Sequence, residues 1–164
     1  MTNAPVRVLV IHSDPADLAV LASVVAAHEF ELRVIEQTAT LIAEVARYQP
    51  DAIVLDVKQR ESDGYELCSL LKADPTTVGI PVILTTASTS VESRQLALAA
   101  GCDDFLEKPI HRHQLAHRLH SFARLRRAWL EKLFHVLDGG VDPQLADAYQ
   151  RWLELKEQTH QIET

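Results

Sequence analysis

The chain has 164 residues, 47% of them apolar, and a formal net charge of −7, which suits one domain of ordinary size with an appendage. The acidic balance argues against nucleic-acid binding by the whole chain. No apolar run nears the roughly 18 residues that read as a membrane span, residues 1–5 lack a basic-then-apolar leader pattern, and the only cysteines, Cys68 and Cys102, stand too far apart for a disulfide framework or metal motif, so a cytoplasmic protein is expected.

Residues 6–11 form an apolar, β-branched run broken only by Arg7, the signature of a strand buried on both faces. Asp14-Pro15 then offers an N-cap and a first-turn proline, and Leu18, Leu21, Val25 and His28 keep helical spacing. Residues 32–35 read as a short second strand. Thr38 or Thr40 caps a helix running through Tyr48, and Pro50 stops it. Residues 52–55 form a third buried strand ending on Asp56, followed by a polar loop, and Leu67, Leu70 and Leu71 mark a third helix closed by Asp74-Pro75. Residues 81–84 are the fourth strand, 91–100 the fourth helix with Gly101 as its C-cap, and 104–106 a short fifth strand. Pro109 and Ile110 lead into a long fifth helix.

Strands alternating with helices predict a doubly wound parallel α/β sheet covered on both faces. Ligands of such sheets bind beyond the carboxyl ends of the strands. Those ends carry His12, Ser13 and Asp14, then Asp56, then Thr85 and Thr86, and finally Lys108. A carboxylate, hydroxyls and an ammonium at one edge describe a site for an anion.

The C-terminal third differs in character. Residues 1–110 hold eight Lys and Arg against sixteen Asp and Glu, whereas residues 111–164 hold eight against seven. Leu115, Leu119, Phe122, Leu125, Trp129, Leu133 and Val136 recur every three or four positions as one apolar stripe. Gly139-Gly140 breaks it, and Asp142-Pro143 starts a further helix to about Thr159. The expected organisation is a domain over residues 5–125 and a helical extension over 126–164. The stripe, with Trp129, Phe134 and Trp152, points to self-association as a homodimer. His111, His113, His117 and His120 read as a solvated helix face, and the arginines around them as partners for Asp103, Asp104 or Glu92.

Three motifs carry a family resemblance. The stretch 50–64, PDAIVLDVKQRESDG, resembles the third strand and following loop of CheY-like response-regulator receiver domains. The stretch 80–87, IPVILTTA, resembles their fourth strand, and 99–110, AAGCDDFLEKPI, resembles their fifth strand with its Lys-Pro pair. The resemblance covers residues 5–125 or so and implies a five-stranded sheet in the order 2-1-3-4-5. It implies that Asp56 accepts a phosphoryl group to become phosphoaspartate, that Lys108 pairs with the phosphoryl oxygens, that Thr86 donates a hydrogen bond to one of them, and that Thr86 and Phe105 form the switch. It also implies a sensor histidine kinase or phosphotransfer protein as donor, a downstream protein that reads the face made by helix four, strand five and helix five, and Mg²⁺ as the cofactor.

Two departures bear on that metal. The acidic pair that usually follows the first strand reads His12-Ser13 here, and an imidazole and a neutral hydroxyl are poor Mg²⁺ ligands. Asp14, one step later, is acidic, a weak candidate to join Asp56 at the metal because it also suits a helix cap. Lys58 and His12 are candidates to place a cation where the metal would sit. The expected function is therefore a non-enzymatic two-component switch phosphorylated at Asp56 and acting through protein contacts. The alternatives are a phosphorylation-independent interaction scaffold, or the regulatory fragment of a longer effector.

Overall fold

A computed structural model describes residues 4–28, 30–36, 38–59 and 62–137. The glycine pair 139–140 and the helix expected from Pro143 lie outside the described residues.

The elements alternate as the hydrophobic pattern predicts: β1 (Val6–Ile11), α1 (Pro15–His28), β2 (Phe30–Ile35), a 3₁₀ turn (Thr38–Thr40), α2 (Leu41–Tyr48), β3 (Ala52–Asp56), α3 (Gly64–Ala73), β4 (Val82–Thr86), α4 (Val91–Ala99), β5 (Asp104–Glu107) and α5 (Arg112–Leu137). The five strands are parallel in the order β2-β1-β3-β4-β5. The second strand begins two residues earlier than the β-branched run suggested, because Phe30 pairs with Val6 and buries its ring.

The period-2 alternation of the strands sorts the core into two layers. Leu9, Ile11, Ile53, Leu55, Val82 and Leu84 face Leu41 and Val45 of α2, Leu67, Cys68 and Leu71 of α3, and Ala97 of α4. Val8, Val10, Val54 and Ile83 face Leu21 and Val24 of α1 and Leu115 and Leu119 of α5. Every residue of β3 and β4 is buried, which is why both read as unbroken apolar runs.

The expected stops are present. Gln49 closes α2 in the left-handed region, and Gly101, with φ of 76°, follows α4. The chain divides into two units at Arg126/Arg127. In the first unit α5 buries Leu115, Ala116, Leu119 and Ala123, and Arg126 lies against Gln49 and Asp51 at the amino-terminal edge of the sheet. The continuous apolar stripe expected along α5 therefore does not all lie on the core face, since Leu125 is exposed. Among the described residues of the second unit, Trp129 and Phe134 are 44% and 65% exposed.

Candidate functional site

Asp56 ends β3, and its side chain follows the parity of Ala52 and Val54 onto the α1/α5 face. His12, directly after β1, follows Val8 and Val10 onto the same face, and Thr85 follows Ile83. Lys108, two residues after Leu106, arrives there from β5. Strand register thus gathers His12, Asp56, Thr85 and Lys108 from four chain segments.

The Lys108 ammonium donates to Asp56 Oδ2 at 2.8 Å and lies 2.8 Å from Asp17 Oδ2. Asp17 stands in the first turn of α1. The backbone N–H of Lys58 donates to Asp56 Oδ1 at 3.3 Å. His12 Nε2 bonds Thr85 Oγ1 at 3.1 Å, while His12 Nδ1 makes no hydrogen bond among the described residues and lies 3.5 Å from Asp56 Oδ2 and 3.7 Å from Asp17 Oδ2. His12 and Asp56 are each 2% exposed. Burial outweighs the neighbouring carboxylates and lowers the His12 pKa below its ordinary value, favouring neutral imidazole. Burial works against the Lys108 charge too, but hydrogen bonds to Asp17 and Asp56 outweigh it, and the Lys108 pKa is raised.

The loop after Asp56 is strapped down. Gln59 Nε2 donates to the carbonyls of Ile11 and Asp56 at 2.8 and 2.9 Å, and the backbone of Lys58 forms an isolated antiparallel β-bridge with that of Asp63, whose side chain caps α3 by accepting from Tyr65 N–H at 2.7 Å. Gly64 is required where α3 starts. A Cβ there would lie 2.5 Å from Val57 Cα and closer still to the Asp56 carbonyl.

Other candidates sit elsewhere. Asp14 is exposed, and its Oδ1 caps α1 by accepting from Ala16 N–H at 2.8 Å, so the acid that faces Asp56 from α1 is Asp17, one turn further on. Lys58 has an exposed side chain and no ion pair among the described residues; the cation against Asp56 is Lys108. Thr86 follows Val82 and Leu84 onto the α3/α4 face, where its hydroxyl donates to the Ser88 carbonyl at 3.2 Å and accepts from Ser88 N–H at 3.1 Å. Phe105 packs on that same layer. It lines an open groove of about 790 Å³ with Arg94, Leu98, Asp104 and His111. Arg118 pairs with Asp104, as expected of the helix-five arginines, and the side chains of His111, His113, His117 and His120 are exposed. The signals for Asp17 and Thr85 were readable: an acid three residues after the cap points back over the strand ends, and strand parity separates Thr85 from Thr86.

The profile of the response regulator receiver domain family matches residues 8–120, more than half of the chain. The chain belongs to the response regulator receiver family. It is 38% identical over 120 residues to the response regulator PleD of Caulobacter vibrioides, a match covering 73% of this chain and 26% of PleD. It is 32% identical over 121 residues to the DNA-binding response regulator MtrA of Mycolicibacterium smegmatis, covering 74% of this chain and 51% of MtrA. The chain thus spans between a quarter and a half of these relatives. Among solved structures it is similar to the signal receiver domain of a signal transduction histidine kinase from Syntrophus aciditrophicus, with TM-score 0.65, 27% identity and coverage of 72% and 89% of the two chains. The receiver domain of the sensor histidine kinase PA1611 from Pseudomonas aeruginosa, with a magnesium ion coordinated in its active-site cleft, shares the fold at TM-score 0.66 and 23% identity, over 73% and 98% of the two chains. The receiver fold and the two-component relationship expected from the three motifs are borne out.

The donors at the site test whether this receiver suits the same ion. Three groups, His12, Asp17 and Asp56, present ligand atoms within 4.8 Å of one another. One is an imidazole nitrogen, and Mg²⁺ selects oxygen ligands in near-ideal octahedral geometry. Ser13 is a neutral hydroxyl and Asp14 is turned away as a cap. This donor set does not fit Mg²⁺.

Proposed function

We propose that Asp56 is the phosphoacceptor of a signalling switch. The observation that carries this reading is the buried carboxylate at the end of β3 with the Lys108 ammonium 2.8 Å from Oδ2. A sensor histidine kinase or phosphotransfer protein supplies the phosphoryl group. A carboxylate oxygen of Asp56 attacks the phosphorus, the donor's P–N bond breaks, and the departing imidazole takes up a proton. Lys108 exchanges its contacts with Asp56 and Asp17 for the new phosphoryl oxygens, acting as a mobile point charge. Thr86 and Phe105, on the opposite layer, carry the change to the groove at α4, β5 and α5, where a downstream protein binds. Regulation, not catalysis on a substrate, is the role of the domain. No described helix is long and apolar enough to cross a membrane, and we place the protein in the cytoplasm as a homodimer joined through the exposed Trp129 and Phe134.

The test is incubation with acetyl phosphate or phosphoramidate followed by intact mass measurement. One added phosphoryl group, absent in Asp56→Asn and displaced as phosphate by hydroxylamine to leave an Asp56 hydroxamate, is the expected result. No adduct from either donor, with any divalent cation or none, overturns the assignment.

A further inference from the structure

The imidazole at a position where the family places a carboxylate is more than a lost ligand. We propose that His12, Asp17 and Asp56 form a site for a first-row transition dication that accepts imidazole nitrogen, of the Mn²⁺ to Zn²⁺ series, in place of Mg²⁺.

Two independent observations support the site. The first is the meeting of two carboxylates and a ring nitrogen within 4.8 Å, drawn from β1, α1 and β3. The second is the state of His12: the ring is 2% exposed, and Nδ1 is aimed between Asp17 Oδ2 and Asp56 Oδ2 with no hydrogen bond of its own among the described residues. The other ring nitrogen is held by Thr85 Oγ1 at 3.1 Å. Coordination requires the Nε2–H tautomer, in which Nε2 donates to that hydroxyl and Nδ1 carries the lone pair. An imidazole oriented by an outer partner on one nitrogen and open on the other has the arrangement of a metal ligand. The Lys108 ammonium, 2.8 Å from both carboxylates, is the cation of the cluster as it stands, and a dication held by Nδ1 and the two carboxylates takes over that role.

Charge and ligand type set the metal class. Two carboxylates face one ammonium, so the pocket keeps an excess negative charge. Lys108 must release at least one carboxylate oxygen to a metal, and its side chain, 19% exposed, has a path toward solvent. A mixed nitrogen and carboxylate set suits Mn²⁺, Co²⁺ or Zn²⁺, and affinity for nitrogen donors rises along that row.

The inference shares Asp56 with the phosphoacceptor reading, so metal binding is measured on the unphosphorylated full chain. Calorimetric titration with MgCl₂, MnCl₂ and ZnCl₂ is expected to give Zn²⁺ and Mn²⁺ affinities at least about tenfold above that of Mg²⁺. Bound Mn²⁺ should show imidazole nitrogen coupling in its pulsed EPR spectrum. His12→Asp should abolish that coupling and tighten Mg²⁺ binding about tenfold, Asp17→Asn should weaken Mn²⁺ by about tenfold or more, and Lys108→Met should tighten it by removing the competing ammonium. Circular dichroism confirms that each variant is folded. Mn²⁺ or Zn²⁺ binding that survives His12→Asp and Asp17→Asn unchanged belongs to the exposed histidines of α5 and overturns the proposal, as does equal affinity for Mg²⁺. Acetyl phosphate labelling without His12-dependent metal binding sinks this inference alone, and His12-dependent metal binding without any labelling sinks only the phosphoacceptor reading.

Discussion

Replacing Lys108 by Met removes the one permanent cation that the described residues place in ion-pair contact with Asp56. The ammonium lies 2.8 Å from a carboxylate oxygen of Asp17 and of Asp56, and each contact is a Coulomb attraction of about 6 kcal/mol at an effective dielectric near 20. The facing carboxylate atoms, within 4.8 Å of each other, repel by about 3.5 kcal/mol on that scale. Desolvation offsets most of the attraction, and breaking a buried pair by deleting one partner typically leaves a loss of about 3–5 kcal/mol. Lys108 keeps 19% of its side chain in solvent, which trims the expected loss to ~2–3 kcal/mol. In urea unfolding at pH 7 the midpoint should fall by about 1–2 M. Asp56→Asn behaves differently, because it ends an attraction and a repulsion together and leaves Asp17 paired with Lys108. Its stability should stay within about 1 kcal/mol of the parent. A Lys108→Met midpoint equal to the parent's, or an equal loss in both variants, would refute the charge assignment of the cluster.

Gly64→Ala should cost more than about 2 kcal/mol in the same assay and slow acetyl phosphate labelling, since the clash is with the backbone that carries Asp56. Burial pushes the Cys68 thiol up to about 12, so it should resist iodoacetamide at pH 8 until urea unfolds the chain. The unfolded thiol ionises near 8.5 and the folded one does not, so this group's contribution to stability falls as pH rises above about 8.5, and Cys68→Ala should flatten that slope. Asp14→Ala should cost about 1 kcal/mol, the worth of a helix cap, and leave metal titrations unchanged. Trp129→Glu with Phe134→Glu should shift sedimentation from dimer to monomer without altering labelling at Asp56; an unchanged mass counts against the dimer contact.

The order of elements and the placement of Asp56 and Lys108 were legible in the sequence because β1, β3 and β4 are buried on both faces and their ends are marked by a change from β-branched to polar residues, whereas the strand order came from the family resemblance alone. The acid on α1 was harder to choose. Asp14 and Asp17 are both near the start of a helix, and only the direction of the first turn decides that Asp14 caps while Asp17 reaches the strand ends. Lys58 adjoined Asp56 in sequence, yet the Lys58–Asp63 bridge and the Gln59 strap turn that loop so the lysine points outward, while Lys108 arrives from 52 residues away. The apolar pattern of α5 continues past Leu119, and Phe122 still packs against the core, but the buried positions that follow are Ala123 and Arg126, and Leu125, Trp129 and Phe134 are exposed.

The two faces of the sheet have one further consequence. His12, Asp17, Asp56 and Lys108 work on the α1/α5 side, and Thr86 and Phe105 on the other, with the backbone hydrogen bond from Lys108 N–H to the Thr86 carbonyl, 2.7 Å long, joining the two. The sheet separates the Asp56 carboxylate cluster from the Thr86 and Phe105 side chains the way a bulkhead separates compartments. Substitutions at His12 or Asp17 on the first side should therefore change what the Asp56 cluster binds while leaving the Phe105 groove in place.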